Sequence, residues 1–305
     1  MQDKTSVKRG VRFKASELEA GRTYMWRKEF LPALYKYLEL KPSQTVVDVG
    51  CGTGAFSRLL LNGIISHGKV IGVDRNKRLL SSANRIAKEK GLRNISFKLG
   101  RAESLPFPDN FADRVVCQMV LWVMNDSNRR RAIREMMRVC KPGGLVGGVD
   151  CVIEKVAYFF PDNKRLTELQ DKRQRAEVQG YRRIYGSDKN VGYKLPTLFK
   201  ELGLQRIRLD GYAYVWLECD DRVPLNFRLK EHVSYIQQFP KREKSAESKE
   251  YRKIMSAGGM TSKEIADLRR LNLARSREIV EKPELLNTDT SMNSGLFYIA
   301  TGVKK

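Results

Sequence analysis

Three glycines at every second position, Gly50, Gly52 and Gly54, close the apolar run Val46-Val47-Asp48-Val49, and no other stretch constrains the fold as tightly. A buried strand that ends in side-chain-free positions reads as a sharp turn into a helix, with nothing in the turn wide enough to keep a ligand off the backbone. About twenty positions later a second apolar run, Val70-Ile71-Gly72-Val73, ends in Asp74. A carboxylate at the carboxyl end of a neighbouring strand can accept hydrogen bonds from the vicinal hydroxyls of a ribose, so the two runs together predict a nucleotide-type pocket. The pattern G-x-G-x-G departs from the dinucleotide fingerprint, whose third glycine sits one place further on.

Beyond this turn the chain alternates strand and helix, which predicts a mainly parallel sheet covered on both faces. The expected order begins with an amphipathic helix over 24–40, with Trp26, Phe30, Leu34 and Leu38 on one side. Strand 45–49, helix 56–65, strand 69–74, helix 77–89, strands 95–99 and 113–117, helix 127–140 and strand 145–150 follow. Helical pieces are expected over 163–178 and 191–202, a strand over 204–217, a helix over 262–280 and a closing strand over 296–303. About seventy residues separate the last two strands, far more than an ordinary turn needs.

The run around the glycines resembles motif I of the class I S-adenosylmethionine-dependent methyltransferases, and the likeness continues in family order. Gly100-Arg101-Ala102-Glu103-Ser104-Leu105-Pro106-Phe107-Pro108-Asp109 is similar to the segment that holds the adenine; 112–118 resembles the fourth strand, and Val139-Cys140-Lys141-Pro142-Gly143-Gly144 the turn into the fifth. The resemblance implies a doubly wound, seven-stranded Rossmann-like α/β sheet. It divides the chain into an N-terminal tail and helical lid (1–44), a methyltransferase core (45–217), a helical insertion or cap (218–292) before the last strand, and that strand (293–305). Because the family's last two strands form a hairpin, the insertion reads as a cap. Cys151 to Gly192 forms a second excursion from the carboxyl edge of the sheet, where ligands of open α/β folds bind.

From the same resemblance follow S-adenosyl-L-methionine as cofactor, S-adenosyl-L-homocysteine as product, and a set of site residues. Gly50, Gly52 and Gly54 let the backbone lie against the methionyl and ribose portions, while Thr53 and the helix-start amides serve the cofactor's carboxylate. Asp48 either orients the loop or reaches the ammonium group through water; a structural turn acid is the competing reading. Asp74 accepts from the ribose hydroxyls, against the simpler role of a helix cap. Arg75 stands where the family often places an apolar side chain over the adenine, and a guanidinium plane can stack there instead. At Arg101 the family often carries an acid or amide, so this arginine leaves the backbone at Arg101 and Ala102, or the Glu103 carboxylate, to read the base. Gln118 matches a position beyond strand four that commonly touches the cofactor.

In-line methyl transfer from a sulfonium needs alignment and exclusion of water, and neither a metal nor a covalent nucleophile. A general base is needed only where the accepting atom must lose a proton; the candidates are Tyr24, Asp150, Glu154, Tyr185, Asp188 and His232. No Asn/Asp-Pro-Pro-Tyr/Phe signature of amino-group methylation follows strand four, where Gln118-Met119-Val120-Leu121 stands. Five dispersed cysteines without a C-x-x-C pair, and two histidines, suggest neither a disulfide framework nor a zinc site, which fits a reducing cytoplasm. No apolar stretch approaches the roughly twenty residues of a membrane span. The N-terminus lacks the apolar core of a secretory signal, and its basic residues read as a tail rather than a transit peptide.

A formal net charge of +23 admits a nucleic acid, an anionic membrane surface, an acidic small substrate or simply a lysine-rich surface. Arg129-Arg130-Arg131 falls on a helix whose apolar spacing is intact, which reads as a solvated outer face. The run Arg129-Arg130-Arg131 carries no interleaved aromatic residue for base stacking. The expectation is therefore an enzyme acting on a small organic acceptor, with an anionic acceptor fitting the charge. An RNA or protein methyltransferase, or a cofactor-binding protein without transfer activity, are the alternatives; oligomeric state is left open.

Overall fold

The computed structural model describes residues 15, 18–19, 26, 28–62, 67–244 and 246–305. They form two compact units, the first within 1–151, 190–212 and 297–305, the second comprising 152–189 and 213–296.

The first unit is the α/β core. Its elements are α1 (Leu31–Tyr37), β1 (Thr45–Val49), α2 (Ala55–Asn62), β2 (Lys69–Asp74), α3 (Lys77–Glu89), β3 (Ile95–Leu99), β4 (Ala112–Gln118), α4 (Asp126–Val139), β5 (Cys140–Cys151) and α6 (Leu195–Glu201). It also holds parts of β7 (Gln205–Leu217) and β8 (Met292–Val303), strands that the chain carries into both units. The strand order is β3-β2-β1-β4-β5-β8, with β7 paired to β8. β3, β2, β1, β4 and β5 run parallel and β8 antiparallel to β5. Val46, Val47 and Val49 are buried, as are Val70, Ile71 and Val73, which is the continuous apolar run expected of strands covered on both faces. Arg114 is buried yet satisfied: its guanidinium donates to the carbonyls of Leu38 at 3.0 Å and Glu39 at 2.8 Å, tying the end of α1 to β4.

In the second unit β6 (Ala157–Phe159) pairs antiparallel with the start of β8, and four helices do the packing: α5 (Lys164–Tyr185), α7 (Leu225–Lys244), α8 (Ala246–Ala257) and α9 (Ser262–Glu281). Their core holds Leu166, Leu169, Ala176, Ile254, Met255, Met260, Ile265 and Leu268. The α5 and α8 backbones touch: a Cβ at Gly180 would collide with the Ile254 carbonyl, and one at Gly258 with the Ala176 carbonyl. Polar pairs tie the helices further, with Lys172 Nζ 2.7 Å from Glu264 Oε1 and the Arg173 guanidinium over the Tyr158 ring at 5.4 Å.

Four sequence expectations change. The helix expected over 163–178 continues to Tyr185 and stops at Gly186 with φ +62°, because Gly180 makes a helix contact and does not end the helix. Trp26 lies in a bend and α1 starts at Leu31, preceded by a 3₁₀ turn over Lys28–Phe30. Pro32 fits that start, since a first-turn proline gives up no helical hydrogen bond. The helix expected over 191–202 is a 3₁₀ turn, Gly192–Lys194, followed by α6 with Pro196 in its first turn. The eighth strand, β6, was not expected; its three residues are too few to show a period. Residues 24, 25, 27 and 63–65 of two expected helices lie outside the described residues.

Candidate functional site

The turn after β1 is built from positive-φ backbone: Gly50 at +72°, Gly52 at +56° and Gly54 at +76°. These glycines do different jobs. A Cβ at Gly50 would run into Val120, and one at Gly54 would stand 2.5 Å from the Phe97 ring, so both are closed by the protein's own side chains. Gly52 is also buried, but a Cβ there would meet, among the described residues, only Leu18 Cδ1 within 4 Å, at 3.3 Å.

Asp74 stands directly across this turn. Its Oδ2 accepts from the Gly52 N–H at 2.9 Å and its Oδ1 from the Asn76 N–H at 2.8 Å, while the Gly50 and Cys51 amides donate to the Val73 carbonyl at 2.7 and 3.0 Å. Helix α3 is capped by Asn76, whose side chain accepts from the Arg78 and Leu79 amides, so the cap role weighed for Asp74 belongs to its neighbour. Two carboxylate oxygens carry about four acceptor sites, and these two amides use one on each oxygen.

Asp48 is buried and accepts from Ser57 Oγ at 2.5 Å, which pins β1 to α2 behind the turn. Thr53 is buried, and its carbonyl accepts from Arg58 Nη1 at 2.7 Å. Gln118 is buried at the end of β4, in register with Val149. Gly100 donates to the Asp74 carbonyl at 3.1 Å and brings the segment after β3 alongside β2. There Arg101 is exposed, bridges to Ser104 and sits 3.4 Å from Glu103 Oε1; Ala102 is partly buried. Arg75 is exposed beside Asp74. The structure therefore brings the glycine turn, Asp74 and Arg75 together, with the 101–103 segment one strand away and Asp48 beneath the turn.

Sequence reasoning missed Arg58 and its partners. This arginine interrupts the apolar face of α2, is itself buried, and pairs with Glu19 Oε2 at 2.6 Å. With Leu18 against Gly52, it brings the described N-terminal residues 18–19 onto the turn. An arginine inside Ala55-Phe56-Ser57-Arg58-Leu59-Leu60-Leu61 was the available signal, because a buried cation requires a partner.

The proton-transfer candidates scatter. Tyr24 lies outside the described residues, and Asp150 is buried within β5. Tyr185 donates to Glu250, Asp188 lies 3.9 Å from Arg182, and Glu154 sits in a 3₁₀ turn. His232 lies between Ser276 Oγ, 3.2 Å from Nδ1, and Glu218, 3.7 Å from Nε2. Burial, with the charges of Asp150 and Asp48 added, pushes the Cys117 thiol well up. No group of three or more potential metal ligands occurs among the described residues. Nor is any helix among them long and apolar enough to cross a membrane.

Comparison with known proteins places this geometry. Residues 46–144 match the model of a methyltransferase domain. An uncharacterized methyltransferase of Bacillus subtilis, YcgJ, is 36% identical over 141 residues, covering 46% of this chain and 51% of the relative. A demethylmenaquinone methyltransferase of Listeria welshimeri is 35% identical over 125 residues, covering 41% and 50%. This chain thus spans about half the length of the curated relatives it matches. The crystal structure of YcgJ superposes with a TM-score of 0.52 at 19% identity, covering 92% of this chain and all of the other, a likeness of fold. Residues 46–144 of the chain are thus similar to a methyltransferase domain, and the likeness to YcgJ beyond them is one of fold.

Proposed function

We propose that the chain binds S-adenosyl-L-methionine at the glycine turn and transfers its methyl group to a small organic acceptor, leaving S-adenosyl-L-homocysteine. The observation that carries this reading is the 2.9 Å bond from the Gly52 amide to Asp74, which sets an acid with spare acceptor sites against the positive-φ glycine turn. The residues fit the cofactor because this turn carries no side chain at Gly50, Gly52 or Gly54, and at Gly52 a Cβ would meet only Leu18 among the described residues within 4 Å. When bound, the sulfonium supplies an activated methyl group and its own leaving group.

The chain's own residues then hold and align. Asp74 accepts from the ribose hydroxyls with the lone pairs left over from Gly52 and Asn76. Thr53 and the first amides of α2, which have no acceptor within the helix, serve the carboxylate. Asp48 acts from behind, where it is buried and holds Ser57 of α2. Arg75 and the backbone at Arg101 and Ala102, with Glu103, border the base, and Gln118 completes the floor. The Listeria relative is named for methylating demethylmenaquinone, which supports a small acceptor over a macromolecular one.

Asp74→Ala tests the reading. It should weaken S-adenosylmethionine binding more than about tenfold in calorimetry, the loss expected for a charge-assisted pair of contacts. Unchanged affinity in a variant with the wild-type circular dichroism spectrum would remove the assignment. Incubation with labelled cofactor and fractionated cell extract then identifies the acceptor: label in a nuclease- or protease-sensitive fraction contradicts a small molecule.

A further inference from the structure

We propose that the outward face of α3, with the neighbouring edge strand β3, is an electrostatic docking surface for an anionic phospholipid bilayer. From Arg75 to Lys98 the chain carries eight basic side chains and one acid, Glu89, all of them exposed. Among the described residues only Arg85 of the eight is ion-paired, to Glu89 at 2.7 Å. Arg75, Lys77, Arg78, Lys88, Lys90 and Arg93 face solvent as uncompensated charge.

Helix α4 shows that this is not a general habit of the molecule. There Arg130 lies 2.8 Å from Asp126 and 2.7 Å from Glu201, Arg138 lies 2.8 Å from both Glu135 and Asp109, and the buried Arg129 donates to the Leu121 and Met124 carbonyls. On α4, Arg129, Arg130 and Arg138 are engaged by the fold while Arg131 and Arg134 are exposed; on α3 only Arg85 is paired.

The kind of anion follows from what else the face offers. Its short polar side chains spend donors on the helix's own backbone: Ser81 donates to the Lys77 carbonyl, Ser82 to that of Arg78 and Asn84 to that of Leu80. None of them is presented to a base edge. Phe97, the aromatic residue of the segment, is half-buried against Gly54 and Gly72, so no ring is offered for stacking. Leu99, in contrast, is 49% exposed, and it lies in register with Asp74, next to Arg75. A leucine among cations suits the boundary between headgroups and acyl chains, where basic residues meet anionic lipid and an apolar side chain enters. A phosphodiester backbone makes no use of it.

Co-sedimentation of the full chain with vesicles tests this and needs neither cofactor nor acceptor, so its outcome is separate from that of the methyl-transfer reading. Vesicles of phosphatidylcholine with roughly 30% phosphatidylglycerol should bind the protein, pure phosphatidylcholine should not, and binding should collapse between about 50 and about 300 mM salt. Arg78→Glu with Lys88→Glu should lower partitioning at least about thirtyfold. Arg131→Glu with Arg134→Glu on α4 changes the net charge equally and should leave partitioning within about twofold. Leu99→Ser should cost a few-fold more. Equal losses from both double variants, no binding to the anionic vesicles, or tighter binding to duplex RNA at the same salt would overturn the proposal; the salt dependence of the unaltered chain stands whether or not a variant folds.

Discussion

Glycine serves opposite ends in the two units. At the turn after β1, Gly52 takes a positive φ and gives its amide to Asp74, while at the crossing of α5 and α8, Gly180 and Gly258 omit side chains so that one helix can rest on the carbonyls of the other. The first use has a positive φ and falls within the stretch that matches the methyltransferase domain, residues 46–144. The second has no special backbone conformation, since Gly180 lies inside a regular helix. Function at the turn depends on what is kept out, and stability at the crossing on what is let in.

The largest expected effect comes from filling the crossing. Gly180→Leu puts a side chain where the Ile254 carbonyl stands, and backbone cannot yield as a flexible side chain would. A loss of roughly 4 kcal/mol or more is expected, beyond ordinary overpacking, together with loss of hydrogen-exchange protection in α5 and α8. A change under about 1 kcal/mol would mean that the helices do not pack in contact at all.

Next in size is Gly52→Val. The valine must adopt φ near +56°, at a folding cost of about 1–2 kcal/mol, and its side chain presses on Leu18 beside Asp74. We expect S-adenosylmethionine affinity to fall more than about thirtyfold while the melting transition stays cooperative, because the branched methyls displace ligand rather than core. Affinity within twofold of the wild type would erase the contrast between the two kinds of glycine.

The same contrast explains how much was readable in the residues. The core announced itself because its turn chemistry is local: an apolar run, glycines at fixed offsets and an acid at the next strand end are contiguous signals. What failed to show depends on partners distant in sequence. The helix expected to stop at residue 178 runs on through Gly180, whose reason, Ile254, lies far along the chain. Arg58 was passed over because Glu19 and the Thr53 carbonyl make a buried guanidinium tolerable only once the chain has folded. The +23 charge was unreadable as a total, because only the structure separates cations consumed by ion pairs, as on α4, from those left exposed on α3.

The smallest effect tests the second unit through its electrostatics. Helix α9 begins with a capping box in which Thr261 and Glu264 satisfy each other's backbone amides, and Glu264 also takes Lys172 of α5 at 2.7 Å. The hydrogen bond from Lys172, followed by the Thr261 amide, holds the Glu264 carboxyl below its ordinary 4.5, at about 2. A depressed carboxyl contributes stability that is complete above the unfolded value and is lost as pH falls through the folded one, so the window is about pH 4.5 down to about 2. Lys172 is 40% exposed, and solvent screening keeps the contribution to about 1 kcal/mol or less. Glu264→Gln retains most of the cap but not the charge. Denaturant titrations of the two proteins should therefore differ by that small amount at pH 6 and converge near pH 2. A difference that persists at low pH would show that the cap geometry, and not the ion pair between α5 and α9, is what the glutamate contributes.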